Sequence, residues 1–370
     1  MSVALLAGGG TAGHVNPLLA VADRLRAVDP EGEVIVLGTA EGLEARLVPA
    51  RGYELQTIPK VPFPRRPNPA ALRFPKRFLD SVSRVERLIA ERGVDVVVGF
   101  GGYVATPAYL AARRAGVPVV IHEANARPGL ANRLGSRFAA AVGVAFEGTP
   151  LPNSEFVGMP LRVEIERLDR AATRVEAAAH FGLDPDRKTL LVTGGSLGAR
   201  RLNRTVVESA HALVAAGWQV LHVTGGAAEV SAPDVPGYRM VGYVDRMDLA
   251  LALADFVISR SGAATVSELS ALGIPAVYVP YPVGNGEQRF NAAGVVGAGG
   301  GILVDDAEFL PEWVESTVLP LLADDERIAA MAAAAATAGL RDGTDRMVAL
   351  VERARPGTVG GGAGEVPGDA

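Results

Sequence analysis

A chain of 370 residues with a formal net charge of −5 is long enough for two domains and carries the wrong overall sign for a nucleic-acid binder. It has no cysteine, which removes disulfides, thiolate nucleophiles and cysteine-ligated zinc. Aromatics are 5% of the residues, so the cores must be built from Ala, Val, Leu and Ile, as suits buried parallel strands under small-residue helices.

The chain opens on Val3–Ala7, an apolar run too short for a signal peptide and without its basic flank. No run reaches the ~20 apolar residues that span a bilayer, so any membrane contact is expected to be peripheral. Strands are expected at Val3–Ala7, Glu33–Gly38, Tyr53–Thr57, Val94–Val98, Val117–Ile121 and Ala141–Ala145. Amphipathic helices lie between them, among them Val15–Val28 and Pro75–Glu91. Strands alternating with helices make a parallel sheet, which binds ligands at the carboxyl ends of its strands. The rhythm lapses across 158–186, read as the interdomain connection. It restarts with Thr189–Thr193, Gln219–Thr224, Arg239–Val244, Phe256–Ser259, Ala276–Val279 and Gly301–Val304. Both halves open on a strand that runs into glycines. The expected organisation is therefore a domain over 1–160 facing a second over 161–340 across a cleft. A last helix in 341–355, with Thr344 as its N-cap, is expected to pack back on the first domain. The Gly- and Pro-rich tail, 356–370, reads as disordered.

Gly8-Gly9-Gly10-Thr11-Ala12-Gly13 matches G-x-G-x-x-G after a strand. Dinucleotide binding also wants an acid at the tip of the second strand. That strand ends Val36-Leu37-Gly38-Thr39, so the dinucleotide reading is set aside. What remains is a loop whose amides approach an anion, or a tight turn with no ligand. His14 follows in the first helical turn, where the positive helix end disfavours a charged imidazole and suits a general base, or a simple cap. Phe100-Gly101-Gly102-Tyr103 and His122-Glu123-Ala124-Asn125 follow later strands and fall on the same face. Glu123 can orient a base, act as one, or hold its loop; Asn125 can donate to a sugar hydroxyl.

In the second half, Gly194-Gly195-Ser196-Leu197-Gly198-Ala199-Arg200 is a phosphate cradle without the Lys-Ser/Thr of a P-loop. Arg260-Ser261-Gly262-Ala263-Ala264-Thr265-Val266-Ser267-Glu268 starts a helix whose amides can bind a phosphate. Glu268, one turn in, can take two ribose hydroxyls or serve as the acid of a capping box with Thr265. Glu287, Gln288 and Asn291 can read sugar hydroxyls from another helix start, or form a solvated terminus. Asp184-Pro185-Asp186 has the D-x-D form of a metal site but reads as a linker turn. Leaving-group charge would then fall to helix N-termini and Arg162. Between Glu54 and Asp80 there is no acid, while Lys60, Arg65, Arg66, Arg73, Lys76 and Arg77 alternate with Phe63, Phe74 and Phe78. That mixture suits an anionic leaflet at about 1 kcal/mol per cation, or a solvated loop with inward phenylalanines.

In this order, over residues 3–350, the motifs resemble those of the MurG family of N-acetylglucosaminyltransferases. The resemblance implies a GT-B glycosyltransferase fold, α/β, with two Rossmann-like parallel-sheet domains facing a cleft. It implies transfer from UDP-N-acetylglucosamine to lipid I, giving lipid II in peptidoglycan synthesis by an inverting β-1,4 displacement; with Asp184-Pro185-Asp186 read as a linker turn, no metal or cofactor is expected. The enzyme would sit peripherally on the cytoplasmic face of the membrane, against anionic inner-leaflet lipids. By motif match, Val244 would read uracil and Glu268 the ribose. Ala263, Ala264, Thr265 and Ser196 would hold the diphosphate, Gln288 and Asn291 the sugar, and Arg162 the nucleotide. Thr11, Ala12, Gly13 and Asn125 would approach the donor from the first domain. His14 is the first candidate for the base and Glu123 the second. Tyr103 and the basic stretch would face acceptor and membrane. Ala12 stands where the family usually has Gly, and Ala124, Leu197 and Glu287 where many members have Gln. A UDP-N-acetylglucosamine 2-epimerase and a non-catalytic sugar-nucleotide sensor remain alternatives.

Overall fold

The computed structural model describes residues 1–61, 69–195, 198–226, 230–283 and 286–356. Among them the chain forms two sheets in which every strand pair is parallel. The first has seven strands, β1 (Val3–Ala7), β2 (Glu33–Gly38), β3 (Glu54–Thr57), β4 (Val96–Gly99), β5 (Val119–Glu123), β6 (Ala141–Val144) and β7 (Ser154–Phe156), in the order β3-β2-β1-β4-β5-β6-β7. The second has six, β8 (Thr189–Thr193), β9 (Gln219–Val223), β10 (Tyr238–Val241), β11 (Phe256–Ser259), β12 (Ala276–Tyr278) and β13 (Gly301–Leu303), in the order β10-β9-β8-β11-β12-β13.

The central strands are apolar along their whole length because helices cover both faces. All five residues of β1 are buried, and Leu5 lies between Ile35 on β2 and Val97 on β4. Strand order reverses beside β1 in one sheet and beside β8 in the other. Crevices open at such switch points, at the carboxyl ends of the strands. The glycine loops after β1, β4, β8 and β11 all lie there, so the topology gathers the candidate motifs.

Several boundaries differ from the sequence reading. β5 runs on to Glu123, so His122 and Glu123 end the strand instead of following it. β7 is a three-residue strand with half-exposed and exposed positions, too short to show a pattern in sequence. The helix α3 (Pro69–Arg92) starts before Pro75 and carries that proline inside it. The last helix, Gly343–Ala354, is preceded by Asp342, not capped by Thr344. Thr344 is buried within it, and its hydroxyl donates to the carbonyl of Leu161 (3.2 Å). Met347, Val348, Leu350 and Val351 of this helix share a core with Ala4, Leu6, Val96 and Val98 of the first sheet. Each such buried side chain is worth about 1.5–3 kcal/mol. The tail from residue 357 lies outside the described residues.

Candidate active site

After β1 the chain turns through Gly8-Gly9-Gly10, with Thr11 extended at the N-cap position of α1 (Ala12–Val28). This places His14 in the first turn of α1, half-buried, with its Nδ1 3.2 Å from the carbonyl of Gly9 and 3.3 Å from Thr11 Oγ1. A carbonyl only accepts, so the proton of the neutral ring belongs on Nδ1 and Nε2 keeps a lone pair. Nε2 lies against the loop after β4: a Cβ on Gly101 would stand 3.2 Å from it, and Gly101 has φ +91°. A Cβ on Gly102 would stand 2.7 Å from the Gly9 carbonyl oxygen. Gly101 thus spares Nε2 a side-chain contact, and Gly102 lets the two glycine loops pack together. Thr11 is exposed beside it, and Ala12 and Gly13 are half-buried.

Glu123 is buried at the end of β5, and its carboxylate is engaged by its own loop. One oxygen accepts from the amide of Asn125 (2.9 Å), the other from the amide of Gly129 (3.0 Å) and Asn132 Nδ2 (2.9 Å). It folds the segment that carries Asn125. Next to it His122 donates from Nε2 to the carbonyl of Gly158 (3.0 Å). Burial pushes its imidazole down to about 4, the Gly158 bond opposing and the nearby His14 adding to the shift. It is a neutral structural histidine. Ala124, where the family pattern often has Gln, is buried and packs with apolar residues of the second half.

The second half supplies a free helix terminus. The helix Ala263–Ala271 has Gly262 at its N-cap, with no side chain capping it, and its first intrahelical bond runs from Val266 N to Gly262 O. The amides of Ala263, Ala264 and Thr265 therefore precede the helical ladder, and they follow β11 at the switch point. Thr265 is a helical residue here, so Glu268 is not the acid of a capping box. Instead Glu268 faces Arg162 (3.4 Å). Burial raises its carboxyl above the usual range, with Arg162 pulling it back. Asn291 is buried at the start of the helix Glu287–Gly297 and joins the halves: its Oδ1 accepts from the amide of Ala126 (2.9 Å), and its Nδ2 approaches Asn125 Oδ1 (3.3 Å). Gln288 holds the preceding loop by accepting from the amide of Tyr281 (2.9 Å). Val244 is buried just beyond β10. Ser196 lies outside the described residues.

The floor under the second glycine loop holds a second neutral histidine. His222 accepts from the hydroxyl of Tyr238 (2.7 Å) and donates to Asn203 Oδ1 (3.1 Å). Asn203 in turn donates to the carbonyl of Thr224 (2.8 Å). Burial pushes His222 down to about 4. Below pH 6.5 the unfolded chain takes up protons that folded His122 and His222 refuse. Stability is thus fully present above 6.5 and falls as pH drops toward 4, each histidine costing about 2 kcal/mol by about pH 5. The Tm should fall between pH 7 and 5, and His222→Gln should flatten part of that fall. A Tm level over that range would contradict neutral buried histidines.

Two motifs lie elsewhere. Asp184 and Asp186 form a local turn, Asp186 N donating to Asp184 Oδ1 (2.9 Å), at the amino end of β8. A diphosphate at the carboxyl ends is beyond their reach. In the basic stretch, Arg73, Lys76 and Arg77 are exposed on α3. Phe74 and Phe78 stack at 5.6 Å, and Phe78 packs on the first-sheet core. Lys60 lies over the ring of Tyr103 (4.9 Å), which is itself exposed. Arg65 and Arg66 lie outside the described residues. No helix among the described residues is long and apolar enough to cross a membrane.

One residue escaped the sequence reading. Glu44 opens α2 (Glu44–Ala50) and is fully buried, its carboxylate accepting from the amide of Gly10 (2.8 Å) and from the amide (2.9 Å) and hydroxyl (2.8 Å) of Thr39. The acid missing from the tip of β2 is thus supplied six residues later, turned inward onto the first glycine loop. An internal anion occupies the Gly10 amide of the loop that a dinucleotide would approach.

Residues 4–144 match the glycosyltransferase family 28 N-terminal domain and residues 189–347 the family 28 C-terminal domain. The chain belongs to glycosyltransferase family 28. Within the family it is a MurG-type enzyme. It is 69% identical to the UDP-N-acetylglucosamine–N-acetylmuramyl-(pentapeptide) pyrophosphoryl-undecaprenol N-acetylglucosamine transferase of Leifsonia xyli subsp. xyli, over 95% of this chain and 98% of that one. The protein of the same name from Streptomyces coelicolor is 56% identical over 95% and 97%. Among solved structures, Acinetobacter baumannii MurG superposes with a TM-score of 0.79 at 28% identity, covering 95% of this chain and all 100% of that one. The fold is therefore GT-B. A UDP-GlcNAc 2-epimerase from Neisseria meningitidis shares it at a TM-score of 0.68 and 15% identity, covering 95% and 100%, a likeness of fold alone. The chain is a family 28 glycosyltransferase, and its two sheets are the two halves of that family's architecture.

Proposed function

We propose that this glycosyltransferase moves N-acetylglucosamine from UDP-N-acetylglucosamine to the C4 hydroxyl of the N-acetylmuramoyl sugar of lipid I, forming lipid II with inversion at the anomeric carbon. The observation that carries the reading is the pairing of an uncapped helix terminus with Glu268 in one half and His14 Nε2 in the other, across a contact made by Asn125, Ala126 and Asn291. The near-full-length relatives that carry this activity in their names support it.

In this reading the second half grips the donor. Ribose hydroxyls donate to Glu268 and take the place of Arg162, which turns to the nucleotide. The amides of Ala263, Ala264 and Thr265, with Ser196, hold the diphosphate, and Val244 reads uracil. Gln288, Asn291 and Asn125 face the sugar. Thr11, Ala12 and Gly13 close over it from the first half. His14 Nε2 takes the proton of the acceptor hydroxyl as its oxygen attacks the anomeric carbon from the face opposite UDP. The bond to the diphosphate breaks, and the helix terminus and Arg162 stabilise the departing charge in place of a metal. Glu123, with its lone pairs engaged, positions the loop of Asn125; His14 is the base. With UDP-N-acetylglucosamine alone the enzyme should leave the sugar nucleotide unchanged, and adding a short-chain lipid I analogue should release UDP. Conversion to a 2-epimer without acceptor would overturn the reading.

The exposed Arg73, Lys76 and Arg77 on α3, with Tyr103 and Lys60 nearer the cleft, supply the contact with an anionic leaflet that brings the enzyme to its lipid acceptor at the cytoplasmic face of the membrane. Replacing the three α3 cations by Ser should weaken binding to anionic vesicles roughly 100-fold, at about 1 kcal/mol each. Unchanged binding would contradict this role.

A further inference from the structure

The buried carboxylate of Glu44 and the ring of His14 contact opposite sides of one peptide group. Gly10 N–H donates to Glu44 Oε2 (2.8 Å), and the Gly9 carbonyl of that same peptide accepts from His14 Nδ1 (3.2 Å). We infer that Glu44 is a positioning residue for the transfer reaction: acting through the Gly9–Gly10 peptide, its charge holds His14 as the Nδ1–H tautomer and strengthens Nε2 as a proton acceptor. The inference rests on His14 being the base.

Three observations carry it. The carboxylate sits in a place built for it. A Cβ on Gly9 would lie 2.3 Å from Oε1, one on Gly42 2.1 Å from Oε2, and one on Gly38 2.5 Å from Cγ, so three segments make room for one acid. The group is charged: burial pushes its carboxyl up, but the bonds from Gly10, its own amide and Thr39 outweigh burial and hold it below the usual carboxylate range. Among the described residues no cation pairs with it, so peptide dipoles carry the compensation. Oε2 accepts from Gly10 and Oε1 from Thr39, so bracing the loop takes both oxygens, and an amide would turn its NH2 toward one of these donors. What a charge adds is polarisation. An N–H that donates to an anion makes its own peptide's carbonyl a stronger acceptor, and hydrogen bonds in a chain reinforce one another. The stronger that carbonyl, the more firmly Nδ1 keeps its hydrogen and the more electron density remains at Nε2.

The other titratable groups around the ring are few. His122 from β5 is neutral, burial pushing its imidazole down to about 4. Glu123 is separated from the ring by Asn132, which bonds it and stands beside Gly101 as Nε2 does. Glu41, Lys60 and Tyr103 line the depression on the outer side of Gly9 and Gly10.

The test compares pH–rate profiles of the full-length wild type, Glu44→Gln, Thr39→Val and His14→Ala with UDP-N-acetylglucosamine and a lipid I analogue. Glu44→Gln should lower kcat about 10-fold, a fraction of the 10²–10⁴ a general base supplies. Its acidic limb should move to lower pH, with the donor KM unchanged. Thr39→Val removes the hydroxyl bond to the same carboxylate and should cost stability without moving the limb. A Glu44→Gln limb that coincides with wild type, while His14→Ala abolishes it, overturns the relay alone. A His14→Ala enzyme that keeps the wild-type limb overturns the base reading itself. Should Glu44→Gln not fold, ring nitrogen NMR of the wild type decides: the Nδ1–H tautomer at His14 supports the relay, and the Nε2–H tautomer overturns it.

Discussion

Replacing His14 by Ala should lower kcat by about 10²–10⁴-fold and leave the affinity for UDP-N-acetylglucosamine nearly unchanged. The acceptor hydroxyl is a weak nucleophile, and its proton must leave as the new bond forms. Losing a positioned base costs about 3–5 kcal/mol of transition-state stabilisation. His14 is suited to the role by its two contacts. Its Nδ1 is committed to the carbonyl of Gly9, so Nε2 is the nitrogen left to accept. Gly101 has no side chain to crowd that nitrogen. In the proposed arrangement the nucleotide and diphosphate are held by the other half, so binding and catalysis should largely separate in this variant. Turnover at saturating substrates and a donor Kd by calorimetry test this. A variant with weakened donor binding and normal kcat would assign His14 to the donor site instead.

Glu268→Ala should do the reverse, weakening donor affinity by about 1.5–3 kcal/mol, or roughly 10–150-fold, through loss of charge-assisted bonds to ribose. In the free enzyme Glu268 is paired with Arg162 and is held above the usual carboxylate range by burial. Ribose hydroxyls bind best to the ionised form. Donor affinity should therefore fall as pH drops through the titration of Glu268, and that pH dependence should vanish in the alanine variant. Helix stability gives no competing explanation, because the N-cap is Gly262 and Thr265 lies within the helix. Calorimetric titration with UDP across pH decides the matter. Affinity equal to wild type would remove Glu268 from the donor site.

What could be read in the sequence is what local patterns encode. Apolar runs marked the central strands of both sheets, because a parallel sheet covered on both faces needs continuous hydrophobic strands. The strand-end loops followed, and with them His14, Asn125, Glu268 and Asn291. What stayed hidden depends on side-chain direction. Glu123 is equally compatible with base or brace until its bonds to Asn125, Gly129 and Asn132 are seen. Thr344 looks like a cap, yet it lies inside the helix and reaches Leu161 across the connection. Glu44 was missed because a ribose acid was sought at the tip of β2. The available signal was an acid set among Gly38 and Gly42, glycines that serve to admit a carboxylate. The short, half-exposed β7 carries no pattern at all.

We propose that the transfer needs no metal, helix amides and arginine taking the place of a cation. It is tested most directly by incubating the enzyme with UDP-N-acetylglucosamine and a short-chain lipid I analogue in excess EDTA, and reading both UDP release and the anomeric proton coupling of the new disaccharide. Release should be undiminished and the linkage β. Release abolished by EDTA and restored by a divalent cation, or an α-linked product, would contradict it.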